Sequence, residues 1–174
     1  MQIIPVTINK EILPGDDIVE LLINSFKIQE NDIVIIAQKI ISKQEGRIVE
    51  LNSIKPSLLS NGIGSQYCKD PRIIELILNE SKRIVRMNNG IIIVENNNGF
   101  ICANAGIDES NVEEGFVTLL PLDSDKSANS IKSEIFSKSK KHVGVIISDT
   151  FGRPFRMGQT NCAIGIAGIN PIID

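Results

Sequence analysis

Asp149 and Thr150 close an apolar run, Val143-Gly-Val-Ile-Ile-Ser-Asp149-Thr150, and Arg153 and Arg156 follow at short spacing. A carboxylate and a hydroxyl delivered by a buried segment suit a hard divalent cation. Magnesium and manganese take one or two protein carboxylates and let phosphates and water fill the remaining octahedral positions. A second carboxylate, Asp108, lies in Asn104-Ala-Gly-Ile-Asp108-Glu-Ser-Asn111 and could complete a metal site with Asp149. A third cluster, Gln38-Lys39-Ile-Ile-Ser42-Lys43-Gln-Glu45-Gly46-Arg47, places three cations and several hydrogen-bonding groups in one short stretch, a composition suited to phosphate.

Each cluster also has a plainer reading. Asp149 with Gly152 reads as a turn, Asp108, Ser110 and Asn111 as a locally capped turn, and the lysines as a solvated, charge-balanced loop or helix turn. Familiar devices are absent from the sequence: there is no GxxxxGK[ST] loop, no GxGxxG and no HExxH. The single histidine, His142, sits between Lys141 and an apolar run, reads as an ordinary surface residue and gives a Ser/His/Asp triad little support.

The elements that must position these residues follow from periodicity. Ile18, Leu21, Leu22 and Phe26 recur at helical spacing behind an Asp cap, which predicts a helix over roughly residues 17 to 26. Ile33 to Ala37 is short, apolar and β-branched, so it predicts a buried strand that ends just before Gln38 and Lys39. Asp70-Pro71 opens a helix whose apolar face is expected to run through Ile73, Ile74, Ile77, Leu78, Ile84 and Val85. Ile91 to Val94 and Phe100 to Ala103 flank Glu95-Asn-Asn-Asn-Gly99, the pattern of an antiparallel hairpin. The polar stretch Asp123 to Lys140 predicts a surface helix with one narrow stripe of Ala128, Ile131, Ile135 and Phe136, followed by a strand over Val143 to Ile147. Hairpins mixed with helices, without a regular βαβ rhythm, predict an α+β fold with a mixed sheet, in a single domain over residues 1–174.

Composition narrows the function classes. The 174 residues are 42% hydrophobic, enough to bury a core without disulfides or a structural metal. Eighteen basic against 21 acidic residues give a net charge of -3, which argues against a dedicated nucleic-acid binder. Cys68, Cys102 and Cys162 are widely spaced and form no CxxC, so neither a disulfide framework nor a zinc site is expected. No signal-like start and no membrane-length apolar run occurs, and the expectation is a cytoplasmic protein with no membrane partner.

Four segments in series, IVIIAQKIISKQEGRIV, NGFICANAGIDESNVEEG, LLPLDSDKSA and VIISDTFGRPFRMGQTNCAIGIAGINP, resemble signatures of the coenzyme F-420-0:L-glutamate ligase family, in that family's order. The resemblance implies an α+β homodimer that uses GTP to join L-glutamate to coenzyme F-420-0 in F-420 biosynthesis, through an acyl phosphate. It implies one or two divalent ions, magnesium or manganese, with a monovalent cation as a further candidate. Asp108 and Asp149 match the family's metal aspartates, and Thr150 a ligand of a second ion beside the first. Asn111 matches a nucleotide contact, as do Gln38, Lys39 and Lys43 after the first strand and the segment Asn9, Lys10, Glu11 and Ile12. Many relatives carry a Gly-Leu-Pro type sequence at that last segment, and Asn161 stands where Asp is common. No residue matches an identifiable general base. Family members continue for several tens of residues, so the resemblance also implies a C-terminally incomplete chain. Two alternatives stay open: a noncatalytic nucleotide or deazaflavin binding module, and an amide ligase with a different carboxylate acceptor.

Overall fold

Asp17 begins the first regular element because its carboxylate accepts the Glu20 N–H at 2.7 Å, satisfying a donor that the first helical turn leaves orphaned. Helix α1 (Ile18–Ser25) then buries Ile18, Val19 and Leu22. The structure, a computed structural model, describes residues 2–153 and 155–172. It divides into two compact units, residues 1–46, 123–149 and 161–174 in the first and 47–122 and 150–160 in the second.

In the first unit α1 is followed by strand β1 (Ile33–Ala37) and directly by helix α2 (Gln38–Gln44). The later part of this unit is built on helix α5 (Ser124–Ser139), strand β7 (Gly144–Gly152) and strand β8 (Gln159–Ala167), the two strands continuing into residues of the second unit. The sheet order is β1-β7-β8, with β1 parallel to β7 from Ile33 opposite Gly144 to Ala37 opposite Ser148. Lys138 of α5 pairs with both Glu134 and Asp17, which ties α5 to the cap of α1. Gly165 explains one glycine of the run Ala163 to Ile169: a Cβ there would lie 2.4 Å from the Ser124 carbonyl oxygen, so only glycine lets β8 approach the start of α5. Asp125 then accepts the Ile166 N–H at 2.8 Å.

The second unit contains strand β2 (Ile48–Glu50), helices α3 (Leu58–Tyr67) and α4 (Pro71–Asn79), strands β3 (Ser81–Asn88), β4 (Ile91–Asn96) and β5 (Ile101–Ala103), and strand β6 (Phe116–Thr118). β2 pairs antiparallel with β6, and β3-β4-β5 form an antiparallel sheet. Ile63, Ile74, Ile77, Ile92 and Val94 make one core, and Leu51, Leu76, Val117 and Leu119 a second. Helices with mixed and antiparallel sheets make this an α+β fold, as the sequence pattern predicted.

Two expectations need correction. The helix that opens at Asp70-Pro71 stops at Asn79, and Ile84 and Val85 lie instead on β3. Asn89 and Gly90, at φ of 49° and 74°, turn β3 back into β4. This Asn-Gly pair is the strongest short-range hairpin signal, and the apparent helical stripe masked it. On α5 the buried stripe is Ala128, Ile131 and Ile135, whereas Phe136 is 42% exposed.

Candidate functional site

The cation cluster after β1 folds as α2, and its residues go to different environments. Gln38 and Ser42, one turn apart, are buried and joined by an Nε2–H donation to Oγ at 2.7 Å. Lys39 is half-buried and engaged with neighbouring groups. Lys43 is buried, with its amine 3.1 Å from Oε1 of Glu11, whose own side chain is 72% exposed. A solvated loop therefore describes this stretch poorly. Burial makes a cation depend on its partner, because water no longer screens or stabilises it. Arg47 departs from the group: it donates to Glu80 at 2.9 Å and to the Leu120 carbonyl at 3.0 Å, a pairing internal to the second unit.

The segment Asn9 to Ile12 belongs to the same unit as α2 and reaches its end. Besides the Glu11–Lys43 pair, the Gly15 N–H donates to the Gln44 carbonyl at 2.8 Å, and Ile12 is buried. Asp16 organises the bend: it accepts from Lys10 Nζ at 2.7 Å and from the Leu13 N–H at 2.9 Å. The Lys10 amine, then the Leu13 amide, hold the Asp16 carboxyl below its ordinary range. In the sequence, Asp16 directly after Pro14-Gly15 marks a turn, and the basic Lys10 a few residues before it was the available signal of its partner.

Asp108 and Asn111 share one loop of the second unit. Asp108 exchanges both backbone hydrogen bonds with Thr118, at 3.0 and 2.8 Å, and its Oδ1 accepts the Ser110 N–H at 2.7 Å. This is the local capped turn that the sequence allowed, and it fixes the carboxylate. An ionised carboxylate offers about four lone-pair sites, and the Ser110 amide takes one of them. Asn111 is exposed at a φ of 56°, a left-handed conformation that Asn tolerates with little strain.

Asp149 and Thr150 are consecutive on β7, Asp149 half-buried and Thr150 exposed, and both interact with neighbouring groups. Side chains alternate across a strand, so the two project to opposite faces. They suit two ions, or one through a side chain and one through the main chain, better than side-chain ligation of a single ion. Among the described residues no three His, Cys, Asp or Glu side chains gather as a metal cluster. Carboxylate and hydroxyl oxygens of this kind are donors of the type that magnesium and manganese accept, with phosphate and water completing the octahedron. The three cysteines are free, Cys102 buried and Cys68 exposed. No described helix is long and apolar enough to cross a membrane.

Comparison with known proteins addresses the chain as a whole. The sequence model of the F420-0:Gamma-glutamyl ligase family matches residues 8–174. The chain is 41% identical over all 174 residues to the coenzyme F420:L-glutamate ligase of Methanopyrus kandleri, covering 69% of that protein. It is 46% identical over 92% of its length to the ligase of the same name from Methanothermobacter thermautotrophicus, covering 66% of it. With the Archaeoglobus fulgidus ligase the identity is 37% over the whole chain and 70% of the relative. The chain thus spans about two thirds of the length of these relatives. A family model matched along nearly the whole sequence, with relatives above a third identical, places this chain in the F420-0:Gamma-glutamyl ligase family.

Proposed function

We propose that this protein takes part in joining L-glutamate to coenzyme F420-0 at the expense of GTP, as a ligase working through an acyl phosphate. The observation that carries the reading is the junction of Asn9–Ile12 with the end of α2, where Lys43 is held 3.1 Å from Glu11. Two segments distant in sequence, both matching nucleotide positions of the family, meet there. The names of the relatives supply the acceptor and the amino acid.

In this reading Gln38, Lys39 and Lys43 hold the nucleotide together with the segment Asn9 to Ile12 of the same unit, and Asn111, in the second unit, matches a further nucleotide contact of the family. Lys39 and Lys43 offset phosphate charge, and the exposed Glu11 keeps the buried Lys43 amine paired until a phosphate oxygen replaces it. Asp108, Asp149 and Thr150 would hold divalent ions, which supply neutralisation of charge on the phosphates when bound. The terminal phosphoryl group passes to the acceptor carboxylate, releasing GDP. The glutamate amine then attacks the acyl carbon, losing a proton as the amide forms and phosphate leaves. The proposal extends to a homodimer, checked by light scattering, and to a monovalent-cation requirement, checked by substituting sodium for potassium.

The test is the mass of the product from F420-0, glutamate, GTP and magnesium or manganese, with the Methanopyrus kandleri relative run as the positive control. A gain of one or more glutamyl units with GDP release, abolished in Asp149→Asn, supports the proposal. An unchanged acceptor with folded protein and an active control overturns it. Retained acceptor binding would then indicate a binding module, and turnover of another carboxylate a different ligase.

A further inference from the structure

Within the first unit, a groove of about 410 Å³ lies against the last half of α5 and is lined by Lys132, Ser133, Phe136, Lys141, His142 and Gly168, among others. None of these residues belongs to the nucleotide or metal positions above. We propose that this groove binds a small aromatic phosphate ester, with Lys132 and Lys141 on the phosphate and the Phe136–His142 ring pair against the flat group.

The charge is the first ground. The α5 ion pairs run through Lys138, to Asp17 and Glu134, and leave Lys132 and Lys141 outside them. Basic residues at a helix C-terminus commonly offset the carbonyl end of the helix dipole, which accounts for Lys138 and for Lys140 at the C-cap. That effect fades within the last turn, and Lys132 stands about two turns before Ser139, so it needs another explanation. Its position is also built: a Cβ at Gly168 would come 3.0 Å from Lys132 Cδ and 2.7 Å from the Val143 carbonyl, so the glycine, at a φ of 75°, lets the lysine stem lie along the floor.

The aromatic wall is the second ground. Phe136 lies outside the buried stripe of α5 and is 42% exposed. Its ring centroid is 4.6 Å from that of His142 at 31°, and Lys140 Nζ sits 5.8 Å from the Phe136 centroid. An exposed ring flanked by cations attracts a group that is both flat and anionic. Polar chemistry in the groove favours the anion as well. The His142 N–H is already given to Glu30 at 3.0 Å and the Ser133 hydroxyl to the Asn129 carbonyl at 2.8 Å, so the donors left for a ligand are the two lysine amines and the imidazole. Glu30 accepts that backbone amide through its Oε2. The volume lies in the range of small-molecule sites and exceeds what one phosphate fills.

This inference does not depend on the ligase reading. Amide-resolved NMR of the purified chain, titrated with phenyl phosphate, inorganic phosphate and phenol, tests it. Phenyl phosphate should shift Lys132, Phe136, Lys141 and His142 and saturate at lower concentration than either fragment. The Lys132→Gln, Lys141→Gln double variant should weaken it ~10-fold or more, and Lys→Arg at both positions should restore it. Phe136→Leu should remove the preference over inorganic phosphate. Absence of shifts in the folded wild type overturns the proposal, as does binding that survives the double Gln variant or equal affinity for phenyl phosphate and phosphate.

Discussion

Lys43 and Asp108 were equally ambiguous as sequence, each a charged residue in a polar cluster, yet the fold treats them in opposite ways. Lys43 is buried and held by an acid 32 positions away in sequence. Asp108 accepts from the amide of Ser110 two residues on, in a turn that its neighbours close. The first environment is made by tertiary structure and the second largely by local geometry. A local turn fixes a carboxylate through the neighbouring backbone, whereas a buried amine depends on a partner that the fold brings to it.

The sharpest way to break this contrast is Asp108→Ala. Under the proposed function it removes a metal ligand at small structural cost, so glutamate addition should fall ~100-fold or more, beyond the loss typical of outer-shell partners, while the Tm moves little. A parallel collapse in stability would show that the turn needs its side chain more than its ligand does. Lys43→Met should follow in size, weakening GTP binding ~10-fold to ~100-fold by isothermal titration, the range of a charge-assisted hydrogen bond. Glu11→Gln separates the two roles of that pair. Because Glu11 is largely exposed, its loss should cost no more than ~1 kcal/mol by denaturant unfolding. A larger cost would mean that solvent does not reach the pair.

A control for purely local structure is Asp70, whose carboxylate caps α4 by accepting the Arg72 N–H at 2.8 Å. Asp70→Ala should cost about 1 kcal/mol, read from the same unfolding curves. The smallest effect is on pH. Arg72 beside Asp70, Lys10 beside Asp16 and Lys138 beside Asp17 hold these carboxyls below their ordinary range. Their stabilisation is therefore full above the unfolded carboxylate value of about 3.9 and is lost as pH falls through the lower folded values. Unfolding midpoints measured from pH 5 to pH 2 should fall on the acid side, and Asp70→Asn should flatten that fall.

Legibility followed the same division. The place of β1, the Asp17 and Asp70 caps and the β4–β5 hairpin rest on residues close in sequence and were readable, but the burial expected for β1 holds only at Ile36, with Ile33 57% and Ile35 66% exposed. The α5 stripe was readable through Ile135 but not at Phe136, because no periodicity tells which side of a narrow stripe its neighbours will cover. The end of α4 was missed since Ile84 and Val85 fit a helical spacing by chance, while the turn at Asn89-Gly90 decides the matter. For the candidate site, the cluster residues were visible as types. What could not be seen was the partner of Lys43, or that Arg47 is spent on Glu80 and a carbonyl.

The chain order of the first unit bears on how the protein is made. Residues 47–122 emerge from the ribosome between the strands that must pair, so Ile33 on β1 is synthesised well before Gly144 on β7. At typical elongation rates of ~5–20 residues per second the delay is on the order of ten seconds, long compared with collapse of a nascent segment. During that interval the second unit's contiguous stretch can condense first, while the apolar edge of β1 waits unpaired. The parallel pairing carries a loop-closure cost and slows the final step, so β1 stays unpaired until β7 is made.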